Sequence, residues 1–218
     1  METPPPPAVH HGRPRQRRFA SAAGSTAAAL IGPLSPGCEI FALTGGQFSI
    51  SDVILHALDQ TGPARVDIAT WTAAIGDIRR AETLLTSGRI TTLRFVVDPS
   101  FQARKPEFCA ALVRTFGPAA IRTVPCHAKF VTIRNDRWSL AIRTSMNLNP
   151  NRRLENVEVS DDPDLADFLC GYVDRLYALA GADANFTSQS KSLVETMLGG
   201  GTAAPTASGL FQPTKLPF

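Results

Sequence analysis

HAKFVTIRNDRWSLAIRTSMNLNPNRRLENVEV, from His127 to Val159, is the stretch on which the reading of this chain turns. Two apolar runs, HAKFVTIR (127–134) and WSLAIRTS (138–145), flank Asn135, Asp136 and Arg137, the composition of a short connection between antiparallel strands. LENVEVS (154–160) reads as a third strand. Side chains alternate between faces along a strand, so His127 and Lys129 share a side with Val131 and Ile133, and Cys126, Ala128 and Phe130 point the other way. Ser145 and Asn147 stand two apart where the second strand ends, and Asn156 and Glu158 stand two apart on the third. One such pair reads most simply as a strand end reaching water, because a buried lysine is rare. Three pairs on successive elements read as one site.

The charge distribution points to the same segment. The formal net charge is +3, and residues 1–37 account for it, with Arg13, Arg15, Arg17 and Arg18 against Glu2. The remaining residues are balanced, so net charge by itself gives no ground for a nucleic-acid partner. From Arg122 to Arg153, however, seven basic residues face one acid, Asp136.

Outward from this segment, helical and strand periods alternate. SDVILHALDQ predicts a helix from about Ser51, ARVDIATW a strand, GDIRRAETLLTSG a helix closed by Gly88, and TTLRFVVD a buried strand. KPEFCAALVRTFG predicts a helix ending at Gly117, AIRTVP a strand, and DPDLADFLCGYVDRLYALAG a final long helix with acids at its start. This order predicts an α/β fold: a mixed sheet flanked by helices, spanning about residues 38–181. Residues 1–37, rich in Pro, Ala, Ser and Arg, read as a disordered basic tail. Residues 182–218 read as a flexible tail in which SLVETML can form one short helix.

Composition excludes several classes. No apolar run approaches the ~18 residues of a membrane span, so no stable membrane insertion is expected. Cys38, Cys109, Cys126 and Cys170 are widely spaced and form no C-x-x-C pair, which argues against a zinc site or a disulfide framework and for a reducing, cytoplasmic setting. Cys126 beside His127 suggests a thiol nucleophile only until strand alternation turns the two side chains apart.

The polar pairs suit phosphate chemistry. A lysine supplies a point charge, and a serine hydroxyl and an asparagine amide supply neutral donors to phosphate oxygens. An imidazole can attack phosphorus or protonate a leaving alkoxide, and a carboxylate on its far nitrogen would fix its orientation. With no further ligands at metal spacing, no metal and no other cofactor is expected, and the lysine and donors would take a metal's place.

In this pattern, H-x-K at 127–129, a hairpin into [GT]-S-x-N at 144–147, and N-x-E at 156–158, the chain resembles the phospholipase D superfamily, and with one motif it is similar to its short endonuclease-type members. The resemblance implies a phospholipase D-like fold and a homodimer in which two copies of the motif meet. It implies His127 as nucleophile forming a phosphohistidine, Lys129 and Asn147 holding the phosphate, and the second copy's His127 as general acid. Ser145 and Asn156 would support the site, and Glu158 would order a histidine. Two positions depart from the pattern. Arg134 stands where the family has an aspartate, with Asp136 as the candidate replacement, and Thr144 stands where it has a glycine. Arg152 and Arg153, between Asn147 and Asn156, are candidate contacts to a polyanion. Trp138 can stack a base or cap the sheet, and Trp71 can line the cleft or simply pack. The expected activity is that of a metal-independent phosphodiesterase acting on nucleic acid. A catalytically weak or inactive nucleic-acid-binding relative and a phospholipid-cleaving enzyme are the alternatives, the latter weakened by the lack of a membrane helix or a basic amphipathic one.

Overall fold

The computed structural model describes residues 16–22, 26–149 and 152–199. Their elements are β1 (Gln16–Ala22), α1 (Ala27–Ile31), β2 (Cys38–Thr44), α2 (Ile50–Thr61), β3 (Ala64–Thr70), α3 (Ile75–Thr86), β4 (Ile90–Val97), α4 (Ser100–Arg104), α5 (Pro106–Phe116), β5 (Ile121–Thr123), β6 (Phe130–Arg134), β7 (Ser139–Thr144), β8 (Glu155–Asp161), α6 (Pro163–Leu179) and α7 (Ser188–Gly199). The strands form one eight-stranded sheet in the order β1-β2-β8-β7-β6-β3-β4-β5. Its outer pairs are parallel, and the middle, from β2 through β8, β7 and β6 to β3, is antiparallel. This is the mixed α/β sheet with flanking helices that the alternating periods predict.

Local chemistry sets the helix ends. Ser49 caps α2, and Asp52 reaches back to the Ser49 N–H, a reciprocal box that satisfies two otherwise orphaned donors. α6 starts on an Asp162 cap followed by Pro163. Gly117, at φ 76°, ends α5 in the left-handed region that a side chain disfavours.

The two faces of the sheet bury different sets. Val66, Ile68, Phe95, Val97, Val131, Ile133, Leu140, Ile142, Val157 and Val159 face the layer containing α2, α3 and α5. Ala69, Val96 and Phe130 face α6 and α7, whose Val173, Leu176, Leu193 and Met197 cover them. A partly buried ion network pins α6. Arg94 donates to the fully buried Asp67 through Nε at 2.7 Å and Nη2 at 2.8 Å, and Arg94 and Arg65 each reach Asp174 of α6 at 2.8 Å.

Three boundaries differ from the sequence expectations. The tail expected over 1–37 does not hold for its second half. β1 pairs in parallel with β2 over seven residues, and α1 buries Ala27, Leu30 and Ile31. An edge strand rich in arginine shows no apolar alternation because one side of it meets water, so composition alone hides it. β2 itself was not anticipated. At the other end, the turn at Ala182–Ala184 and α7 pack Ala184, Leu193 and Met197 against the second core, so residues 182–199 belong to the fold. The remaining parts of the two expected tails, 1–15 and 200–218, lie outside the described residues. Among the described residues no helix is long and apolar enough to cross a membrane.

Candidate active site

Strand register brings the motif together. β6 pairs antiparallel with β3 (Ala69 opposite Phe130) and with β7 (Phe130 opposite Arg143), and β8 pairs with β7 (Thr144 opposite Val157) and β2 (Thr44 opposite Glu155). The start of β6, the end of β7, the start of β8 and the ends of β2 and β3 therefore meet at one end of the sheet. His127 and Lys129 lie just before β6, in chain that is not yet a strand. Thr144 N donates to Lys129 O at 3.2 Å, and Cys126 N donates to Asp98 Oδ2 at 3.0 Å, which ties this segment to β7 and to the end of β4.

Beyond β7 the chain continues to alternate. Met146 and Leu148 enter the core, which turns Ser145 and Asn147 toward the cavity, and Leu148 O accepts from Ala74 N at 2.7 Å. Ser145 is held from three sides. Its N–H donates to Asn156 O at 3.2 Å, its Oγ accepts from Asn156 N at 3.0 Å, and its hydroxyl donates to the Glu155 carboxylate. Arg153 Nε donates to the same carboxylate. Thr144 needs no glycine-like backbone, since Phe186 is the single non-glycine with positive φ among the described residues. Its Oγ1 donates to Asn156 O at 2.6 Å and accepts from Met146 N at 3.0 Å.

The result is a cavity of 510 Å³ lined by Trp71, His127, Lys129, Ser145, Asn147 and Arg153, with Glu155 as its one acid. Lys129 Nζ donates to His127 O at 2.9 Å and lies 3.5 Å from His127 Nδ1, so Nε2 is the ring nitrogen turned away from the ammonium. Burial, joined by the charge of Arg153, lowers the Lys129 pKa below its usual value against the opposing pull of Cys126 and Glu155. Asn147 is 7% exposed, and its Oδ1 has no hydrogen-bond partner among the described residues. A buried amide in that state is costly unless a ligand meets it. Burial also pushes the Cys126 thiol up, away from thiolate chemistry, in keeping with the alternation argument. Trp71 follows β3 directly, with its ring centre 5.8 Å from that of His127 at 59°, and the Arg104 guanidinium carbon lies over the Trp71 ring, 3.3 Å from its centre. All four cysteines are free thiols. Among the described residues no three His, Cys, Asp or Glu side chains converge as a metal would require.

Of the residues expected from sequence, the structure brings together His127, Lys129, Ser145, Asn147 and Arg153. Glu158 is elsewhere. It pairs with Arg143, its partner in register, on the face opposite Val157 and Val159, so strand alternation points it away from the histidine. Glu155, three residues earlier and 4% exposed, is the carboxylate at the site. Its parity with Val157 and Val159 was the signal that could have found it. Asn156 supports the site with its main chain. Asp136 sits in the β6–β7 turn, at the opposite end of β6 from His127, and cannot replace a site aspartate. Arg134, at that same far end, pairs with Asp167 of α6 at 2.7 Å. Trp138 packs against the main core, and its backbone N–H donates to Asn135 Oδ1 at 3.0 Å, so it caps the sheet and stands outside the cavity lining. Arg152 is exposed and outside the cavity lining. Arg104 was not anticipated.

No protein-family model matches the sequence, and no curated protein does. Solved structures do resemble it. The phospholipase D family member Nuc from Salmonella typhimurium is 16% identical, with a TM-score of 0.48 over 64% of this chain and 93% of that one. NucT from Helicobacter pylori is 14% identical, with a TM-score of 0.44 over 64% of this chain and 96% of that one. Polyphosphate kinase from Porphyromonas gingivalis is 12% identical with a TM-score of 0.49, and here the match spans 64% of this chain but only 26% of the other. At these identities the likeness is one of architecture alone.

Proposed function

We propose that this cavity cleaves phosphodiesters in nucleic acid through a covalent histidine intermediate. The observation that carries the reading is the convergence of His127, Lys129, Ser145 and a buried Asn147 amide lacking a partner for its Oδ1 on one cavity. Lys129 and the Asn147 amide bind the non-bridging oxygens, with the amide turned to present Nδ2. Neutral His127 attacks phosphorus through Nε2, a P–N bond forms, and the P–O bond to the leaving group breaks. Water then attacks the phosphohistidine: its oxygen bonds to phosphorus, the P–Nε2 bond breaks with its electron pair returning to Nε2, and the water proton passes to the base left behind by the acid that protonated the leaving group. Lys129 offsets charge on the oxygens throughout, and no step calls for a divalent ion.

The alkoxide that leaves must gain a proton. Among the described cavity residues there is one imidazole, and the one carboxylate is occupied by Ser145 and Arg153. A second copy supplies the acid if two cavities face each other in a homodimer, its own His127 giving the proton. Leu154 supports such a contact, since it stands on the cavity rim and is 75% exposed.

The test is to incubate the full chain with plasmid, single-stranded DNA and RNA in EDTA, beside His127→Ala, and to measure mass by light scattering. Cleavage by wild type, lost by at least about a thousandfold in a folded His127→Ala dimer, is the expected result. Binding without product on any substrate would leave a nucleic-acid-binding module in place of a nuclease.

A further inference from the structure

We infer that Arg104, lying over Trp71, anchors the phosphate next to the reacting one, so that the site reads a strand of linked phosphodiesters and not an isolated diester. This rests on the phosphodiester reading of the His127 cavity and names the class of substrate it takes.

Trp71 lines that cavity and touches both groups, His127 at 5.8 Å between ring centres and Arg104 at 3.3 Å from its guanidinium carbon. Trp71 is thus the neighbour that the guanidinium and the attacking imidazole share. It is also held in place. Nε donates to Ser100 O at 3.2 Å and the guanidinium carbon lies over the ring, and among the described residues nothing accepts from its Nη donors. Among the described residues no carboxylate forms an ion pair with Arg104. The acid whose charge it meets, Asp98, accepts from Ser100 N at 2.8 Å, from Ser100 Oγ and from Cys126 N at 3.0 Å. Burial pushes Asp98 up, but those hydrogen bonds and Arg104 outweigh it and hold the carboxyl below its usual range. One carboxylate thus fastens both the start of α4, which carries Arg104, and the segment that carries His127.

The cavity's own phosphate is already served. Lys129 and Asn147 serve the oxygens of one diester, and Ser145 and Arg153 are both engaged with Glu155. An exposed arginine, held with its outer donors unspent and sharing Trp71 with the nucleophile, fits the next phosphate along a chain. A phospholipid or a small synthetic diester has no phosphate to place there.

Two readouts test this. Hydrolysis of a single-stranded oligonucleotide and of bis(4-nitrophenyl) phosphate is compared between wild type and Arg104→Gln. Binding of a fluorescent oligonucleotide is measured by anisotropy across salt concentrations, with His127→Ala as the parent and Arg104→Gln added to it, so that the answer does not depend on turnover. The ratio of kcat/KM on the oligonucleotide to that on the small diester should fall about tenfold in Arg104→Gln, mainly through KM. The slope of log affinity against log salt should shrink by about 0.7, the loss of one single-strand phosphate contact. Trp71→Leu, which removes the platform and keeps the charge, should lower the same ratio by less. An unchanged salt slope, or equal losses on both substrates, overturns the inference. If wild type hydrolyses neither substrate while the salt slope still falls with Arg104→Gln, the anchor stands and the catalytic reading fails.

Discussion

The two ends of the β6–β7 hairpin look alike in sequence and differ in the fold. One end has His127 and Lys129, which the fold sets near Trp71, and the other has Arg134, Asp136 and Arg137 beside Trp138. Both are polar, mostly basic and close to a tryptophan. At the far end the polar groups serve the fold. Asn135 Oδ1 accepts from the N–H groups of Arg137 and Trp138 at 3.0 Å each, its Nδ2 donates to Thr61 O at 2.9 Å, Arg134 pairs with Asp167, and Trp138 packs on the core. At the near end, Asn147 Oδ1 and the outer donors of Arg104 are left open beside a cavity. Density of charge and aromatic residues does not separate a site from a well-made turn. Groups held in place with their bonding capacity unspent do separate them.

The sharpest way to break this comparison is to exchange the two glutamates of β8. Glu155 holds Ser145 and Arg153 from inside the site, and Glu158 holds Arg143 on the other face. Glu155→Gln removes the charge that Arg153 faces and loosens the serine, and displacement of that size costs about a hundredfold in rate. Glu158→Gln should stay within about twofold of wild type, because an ion pair outside the site contributes little. Steady-state kinetics on one oligonucleotide decide it. Equal losses in both variants would mean that alternation along β8 does not sort its carboxylates.

A pH profile tests the near end by a smaller effect. Burial lowers the Lys129 pKa, so the ammonium that binds phosphate is lost at a lower pH than in a free lysine, whose pKa is about 10.4. The alkaline limb of kcat/KM should fall below that value, and Lys129→Arg, if it turns over, should move the limb upward because a guanidinium stays charged. Stability runs the opposite way. A lysine with a depressed pKa in the folded state binds fewer protons there than when unfolded, so between the folded and unfolded values stability rises with pH. An alkaline limb that does not move in Lys129→Arg would remove Lys129 from the rate.

How much of this was legible beforehand depends on how local each signal is. Alternating apolar periods gave the helices and strands from Ser51 onward except the five-residue α4, and two-residue spacing placed His127, Lys129, Ser145 and Asn147 on one end of the sheet. Glu155 was missed because N-x-E drew attention to Glu158, although parity with the core valines already favoured its neighbour three residues back. β1 was hidden because an edge strand facing water carries arginines in place of an apolar alternation. Arg104 could not have been found by pattern. It lies at the end of a five-residue helix more than twenty residues before the motif, and only the tertiary contact with Trp71 gives it meaning.

The smallest expected effect belongs to Arg134, and it bears directly on the far end. If that position weakened the site by departing from an aspartate, Arg134→Asp would raise the rate. The structure predicts otherwise. Arg134 closes β6 at the end away from His127, and its guanidinium meets Asp167 of α6 with both side chains more than a third exposed. Replacing it with aspartate sets two carboxylates against each other in water, where screening limits the loss to about 1 kcal/mol or less. The melting temperature should therefore drop by a few degrees at most, and less in high salt, while kcat/KM on an oligonucleotide stays level. Calorimetry at two salt concentrations and one rate measurement suffice. A rate gain of tenfold would mean that the far end of the hairpin communicates with the cavity, and the separation drawn between the two ends would fail.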